Sequence, residues 1–336
     1  MNFGTHRALE RLADEEGHFR MLAVDQRPPV NDLVARALGV DRPPLDAVRE
    51  VKRLLVSSLA PLASAILVDP TTSFAASDLI SPRQGMIMTL EDSVFERRPD
   101  GRLTSTIDDW SVEKIKRIGA DGVKFLAWYR GDAGQEVLEH QQRVVADAGA
   151  ACRRSDIPFI LELLVYPFPH ETPEETPTGK RRTEMILESV ETFAHPEYGV
   201  DLFKLESPIS PQMLADDEAD DRRCRQAFDE LHRAAGRPWV LLSGGAEPAA
   251  FVRMLSLAYA AGASGYLAGR SIWWQALQHY PDLSSVEKGL CNEGSRFMER
   301  INDLTGAAAA SWVLAQGASP RPPWNDVPAG YADPLT

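Results

Sequence analysis

Three ionisable residues interrupt otherwise apolar runs: Lys124 in Gly122-Val123-Lys124-Phe125-Leu126, Glu162 in Ile160-Leu161-Glu162-Leu163-Leu164, and Lys204 in Leu202-Phe203-Lys204-Leu205-Glu206. An ammonium among apolar neighbours is costly unless paired or neutral, because desolvation disfavours the charged form. The same penalty lowers the pKa of such a lysine, and a second cation nearby lowers it further. A lysine pushed toward neutrality can attack a carbonyl carbon, which is what Schiff-base chemistry requires, and a carboxylate beside it can move the protons. The bland alternative is a buried salt-bridge network that only fills space. Three such residues on successive strands favour chemistry, since buried charge clusters at strand ends are more often sites than props.

Two further groups point to a bound substrate. The run Ala23-Val24-Asp25-Gln26-Arg27-Pro28-Pro29 places a carboxylate, an amide and a guanidinium at a turn stiffened by two prolines; we read these residues as substrate contacts, with helix capping as the alternative. Ser243-Gly244-Gly245 and Gly269-Arg270-Ser271 each put glycines, and hence accessible backbone N–H groups, just before a helix. With Arg270 alongside, Ser243, Gly244 and Gly269 read as a phosphate site. The run Lys180-Arg181-Arg182 reads first as solvated surface, and second as a reach toward another phosphate. The seven histidines (His6, His18, His140, His170, His195, His232, His279) fall on no strand end and show no ligand spacing, so neither a catalytic metal nor a cofactor is expected. Cys152, Cys224 and Cys291 are scattered and read as idle thiols.

The elements that must position these groups follow from the hydrophobic pattern. Eight short apolar runs recur at 21–25, 65–69, 86–90, 122–128, 159–166, 202–206, 239–243 and 265–268, nearly continuous rather than alternating, as for parallel strands covered on both faces. Amphipathic stretches separate them, at 44–59, 111–118, 137–155, 182–194, 217–235 and 249–261. The alternation predicts an α/β fold, a single (β/α)8 TIM barrel, with reactive groups at the C-terminal ends of the strands. Residues 1–316 are assigned to the barrel and 317–336 to an extended, Pro-rich C-terminal tail, read either as a surface strap anchored by Trp324 and Tyr331 or as a disordered end. The Pro- and Glu-rich stretch 167–181 sits where barrels keep working loops.

Composition bounds the partners. The chain has 336 residues, 44% hydrophobic and 25% charged, enough for a full core. A formal net charge of −13 argues against nucleic acid or an anionic membrane surface as partner, but not against a small anion held by a few local cations. No stretch reaches the ~18 apolar residues of a membrane span and the N-terminus lacks a signal-peptide core, so a cytoplasmic protein is expected. A homo-oligomer is left open.

These motifs resemble the class I tagatose 1,6-bisphosphate aldolase family, which includes aldolases cleaving sulfofructose 1-phosphate. The resemblance runs from about Arg11 to Tyr280. It rests on Leu22-Ala23-Val24-Asp25-Gln26-Arg27, Gly119-Ala120-Asp121-Gly122-Val123-Lys124-Phe125-Leu126, Leu161-Glu162, Val200-Asp201-Leu202-Phe203-Lys204-Leu205-Glu206, Leu241-Leu242-Ser243-Gly244-Gly245 and Gly269-Arg270. It implies Lys204 as the Schiff-base lysine, Glu162 as acid and base, and Lys124 as the charged neighbour. It further implies Asp25 and Gln26 on substrate hydroxyls, and Ser243, Gly244, Gly269 and Arg270 on the phosphate of the dihydroxyacetone phosphate half. The prolines after Arg27, the 167–181 stretch and the tail depart from the family's pattern. A sugar-phosphate isomerase or epimerase, or a non-catalytic sugar-phosphate sensor, would keep the phosphate corner but has no use for the lysine pair.

Overall fold

A computed structural model describes residues 2–172, 174–214 and 218–315. Eight parallel strands, β1 (Phe19–Ala23), β2 (Ala65–Val68), β3 (Gly85–Thr89), β4 (Gly122–Trp128), β5 (Phe159–Leu164), β6 (Leu202–Leu205), β7 (Trp239–Leu242) and β8 (Gly265–Ala268), pair in chain order and close when β8 meets β1. All eight expected strands are present, several ending one or two residues early. In four of those, the polar residue that ends the apolar run, Asp25, Asp69, Glu206 or Ser243, has already left the sheet for the loop above it. The proposed tail, 317–336, lies outside the described residues.

The barrel has two cores, as a sheet covered on both faces must. Outward-facing strand residues such as Val123, Phe125, Leu161 and Phe203 pack against the ring of helices. Inside, Met21, Leu67, Ile87, Ile160, Leu202, Val240 and Leu267 form a separate apolar layer, closed from below by Leu9 and Leu12 of the helix Phe3–Leu12 and by Trp312, which stacks on Phe19 with ring centroids 6.4 Å apart. Each fully buried Leu or Phe there contributes about 1.5–3 kcal/mol. The plug explains Gly85 at the start of β3: a Cβ there would sit 2.6 Å from Leu12 and 2.7 Å from the Arg11 carbonyl.

One element was not anticipated. The segment after β3 forms an antiparallel hairpin, Glu96–Arg98 with Gly101–Leu103, turning at Pro99-Asp100. Its Arg102 lies over the rings of Phe95, Trp128 and Tyr166 at 4.7, 4.4 and 4.7 Å. The expected working loop after β5 is tied to this side: Glu171 takes a paired hydrogen bond from Arg130, at 2.7 and 2.9 Å. The helix that follows starts at Gly179 rather than at Arg182.

Candidate active site

At the C-terminal ends of the strands the interior changes from apolar to charged. Register pairs Glu162 of β5 with Lys204 of β6, and Lys124 projects from β4, so the three side chains meet. The Glu162 Oε2 atom lies 2.9 Å from the Nζ of Lys204 and 2.9 Å from the Nζ of Lys124. Lys124 also donates to Asp25 Oδ2 at 3.0 Å and to Glu91 Oε1. All five side chains are buried.

The electrostatics fix the state of Lys124. Burial works against the Lys124 ammonium, but the carboxylates of Asp25, Glu162 and Glu91 outweigh it and hold Lys124 well above the ordinary lysine range. The expectation that burial drives such a lysine toward neutrality is therefore reversed for Lys124, because three counter-charges arrive from three other strand ends. Lys124 is the fixed cation of the site. Burial opposes the Glu162 carboxylate too, yet Lys124 and Lys204 keep it below the usual carboxylate range. Asp25 is likewise held far down by Lys124 and Lys204 against its burial, whereas burial lifts Glu91. Desolvating this many charges is tolerable only because each faces an opposite one.

Lys204 and Glu162 form one wall of a cavity of about 470 Å³, of the size that small-molecule sites have. Ser243, Gly244, Gly245, Gly269, Arg270 and Gln26 line the same cavity. Gly244 and Gly245 take positive φ values of 59° and 83°, a backbone that side chains resist. Gly269 precedes the helix Arg270–Leu277. A Cβ on Gly269 would lie 2.5 Å from the Ala23 carbonyl and 3.1 Å from Gln26 Nε2, so only glycine lets β8 approach β1 here. Arg270 Nη2 donates to the Gly244 carbonyl at 3.3 Å, bridging the two glycine turns. Exposed N–H groups, a helix start and an arginine make this corner fit for a phosphoryl group.

Asp25 and Arg27 are not among the residues lining that cavity. Asp25 faces Lys124, and the Arg27 guanidinium donates to the Glu91 carbonyl at 2.8 Å and lies 3.9 Å from Asp92. Lys180 pairs with Glu184 and Arg181 with Asp132 at the surface, but Arg182 lines the cavity and pairs with Glu206.

Sequence reasoning passed over three buried groups. Glu91 directly follows an apolar strand, a signal that was available. Glu206 stands in the same run as Lys204; burial, only partly offset by Arg182 and the Val165 N–H, pushes its carboxyl up to about 7. Lys52 lies on the helix Leu45–Leu59, four residues from both Val48 and Val56 on the buried stripe, and so could have been found from its phase. Fully buried, it donates to the carbonyls of Val24 and Gln26 on either side of Asp25, at 2.6 Å in the second case, and burial lowers it to about 8 despite Asp69 at 3.9 Å. At the opposite end of the barrel Asp14, Glu16 and His18 come together, where Asp14 Oδ1 accepts the N–H groups of Glu16 and His18 and Arg20 lies 2.8 Å from Oδ2.

Comparison with known proteins identifies the family. Residues 19–275 match the family described as DeoC/LacD family aldolase. Tagatose 1,6-diphosphate aldolase 2 of Enterococcus faecalis is 31% identical over 321 residues, covering 92% of this chain and 96% of its own. Tagatose 1,6-diphosphate aldolase 1 of Streptococcus mutans is 28% identical, covering 90% and 96%. Among solved structures, the fructose-bisphosphate aldolase of Plasmodium falciparum superposes with a TM-score of 0.66 at 13% identity, over 90% of this chain and 94% of its own. A Schiff-base-forming fructose-1,6-bisphosphate aldolase gives 0.57 at 16%, over 89% and 98%. At such identities these two speak for the barrel alone. The family match over most of the chain and the 31% identical relative carry the conclusion: this protein belongs to the DeoC/LacD family of aldolases and is a lyase.

Proposed function

We propose that this aldolase acts through a Schiff base on Lys204 and cleaves a ketose 1-phosphate, foremost tagatose 1,6-bisphosphate, to dihydroxyacetone phosphate and glyceraldehyde 3-phosphate. The observation that carries the reading is the single Glu162 oxygen 2.9 Å from both lysine nitrogens, on the wall of a cavity that the glycine-arginine corner also lines. The named activity of the E. faecalis and S. mutans relatives supports the choice of ketose.

In this reading Ser243, Gly244, Gly269 and Arg270 hold the 1-phosphate and set the C2 carbonyl against Lys204. Glu162 takes a proton from Lys204, and the freed amine adds to C2. After proton transfer between oxygen and nitrogen, Glu162 returns its proton to the carbinolamine hydroxyl, which leaves as water, and the C2–nitrogen iminium forms. The carboxylate then accepts the C4 hydroxyl proton as the C3–C4 bond breaks. The bonding pair moves into the iminium to give an enamine, and the aldehyde departs. Protonation at C3 and hydrolysis release dihydroxyacetone phosphate and restore Lys204. Lys124 stays protonated and favours return of Glu162 to the carboxylate after each transfer. Gln26, which lines the cavity, holds a substrate hydroxyl, Asp25 holds the Lys124 ammonium in place, and the cytoplasm is where we place the reaction.

A coupled assay for dihydroxyacetone phosphate, run with EDTA on tagatose 1,6-bisphosphate, fructose 1,6-bisphosphate and sulfofructose 1-phosphate, tests the reading. Release that survives EDTA and is fastest with the tagatose substrate is expected. Release from none of them would sink it in favour of an isomerase or a sensor. Borohydride trapping should add substrate mass to Lys204; a Lys204→Ala protein that still traps would refute the assignment.

A further inference from the structure

Lys52 is fully buried on the helix Leu45–Leu59, and the reaction above gives it no part. The backbone it meets is the piece that carries Asp25 and Gln26. Before that piece, the Val24 N–H donates to the Leu67 carbonyl at 2.9 Å; after it, the helix Pro28–Leu38 begins, with the Asn31 N–H on the Arg27 carbonyl at 2.9 Å. Between these two anchors the carbonyls of Val24 and Gln26 both accept from the Lys52 ammonium, at 2.6 Å for Gln26. The ammonium is itself held. Asp69, just past β2, lies 3.9 Å away, and its carboxylate accepts both the N–H and the hydroxyl of Thr71, of Thr72 and of Ser73. A rigid carboxylate thus fixes Lys52, and Lys52 fixes the turn in which Asp25 meets Lys124 at 3.0 Å. An apolar side chain at this helix position would pack without the cost of desolvating an ammonium, so packing alone does not account for a lysine here. Its three donors match two carbonyls and a carboxylate.

We infer that Lys52 is a positioning residue of the aldol cleavage: by clamping the carbonyls on either side of Asp25, it keeps that carboxylate against Lys124 and keeps Gln26 in the cavity wall. The inference rests on the Schiff-base reading and adds to it a residue that does not itself line the cavity. Two effects separate. Through Gln26 the clamp acts on substrate binding, and so on KM. Through Asp25 it acts on the charges of Lys124 and Glu162, which lie 2.9 Å apart, and so on kcat. A shift of the turn by about 1 Å is enough for a ~100-fold loss of rate.

The test is kinetic, on tagatose 1,6-bisphosphate, with rates expressed per folded molecule from near-ultraviolet circular dichroism and urea melts. Lys52→Met, which keeps the length of the side chain and removes its donors, should lower kcat/KM by ~10- to 100-fold. In a Gln26→Ala background the same substitution should no longer raise KM, and in an Asp25→Asn background it should no longer lower kcat, because residues that act through one another are not additive. A purely structural lysine would lower the urea midpoint and leave kcat and KM of the folded fraction unchanged, or would give full, additive losses in both backgrounds; either result overturns the inference. Should Lys52→Met not fold, Lys52→Gln, whose amide still reaches one carbonyl, carries the same comparison. A wild type that releases no dihydroxyacetone phosphate from any ketose phosphate and forms no borohydride adduct refutes the Schiff base, and the role of Lys52 falls with it. A wild type that traps substrate on Lys204 while the Lys52 losses stay additive refutes the role of Lys52 alone.

Discussion

Along β5 the inward residues are Ile160 and then Glu162; along β6 they are Leu202 and then Lys204; along β3, Ile87 is followed by Thr89 and, just past the strand, Glu91. On β5 and β6 one layer lies in the apolar interior and the next, two residues further on, in the charged cluster; on β3 the charged residue comes four residues on, after Thr89. The two layers share strands, burial and alternation, so position along the barrel axis, not exposure, separates packing from chemistry. The lower layer is held by dispersion and exclusion of water, which tolerate substitutions of similar volume. The upper layer is held by matched charges, in which loss of one partner leaves another buried and unpaired.

The sharpest way to break this contrast is Lys204→Ala, which should lower kcat on the order of 10⁴-fold with little change in the urea midpoint, measured by dihydroxyacetone phosphate release. Glu162→Gln should follow at about 10²- to 10³-fold, with the mass adduct on Lys204 forming slowly rather than not at all. Lys124→Met removes the cation that Asp25, Glu91 and Glu162 share. A stability loss of about 3–5 kcal/mol in urea is expected alongside lost activity, because three carboxylates remain buried. Leu202→Ala, one layer down, should cost about 2–5 kcal/mol yet leave kcat per folded molecule nearly unchanged; a large fall in kcat would show that the layers are not separable. The smallest effect concerns pH. Glu206 keeps its proton up to about 7, against 4.5 ordinarily. Between those values the native chain binds a proton that the unfolded chain has released, so this group makes stability fall as the pH rises. Glu206→Gln should therefore gain stability relative to wild type from about pH 5 to pH 8, and a difference that does not vary with pH would contradict the assignment.

Much of this was legible before any coordinates. The eight strands follow from apolar runs of four to eight residues, and Lys124, Glu162 and Lys204 stood out because nothing but pairing makes an ionised group tolerable there. Ser243-Gly244-Gly245 and Gly269-Arg270 were visible as glycine turns before helices. Less visible was the hairpin at 96–103, whose three-residue strands are too short to show alternation, although Pro99-Asp100-Gly101 carries the turn signal. Lys52 was hidden by composition, since a lysine on a helix is ordinarily at the surface and only its phase betrays burial.

From residue types and periods alone came the (β/α)8 architecture, the ends of the strands as the place of chemistry, and the lysine–glutamate trio, because period and desolvation are local properties of the chain. Which lysine is the fixed cation was decided only by folding. It depends on Asp25 and Glu91 reaching Lys124 from 99 and 33 residues away, and Coulomb energies follow distance in space rather than in sequence. For the same reason Arg182 could not be told from Arg181 until the helix start and the Ser207–Pro211 wall were packed together, turning one of two adjacent arginines into the cavity and leaving the other in water.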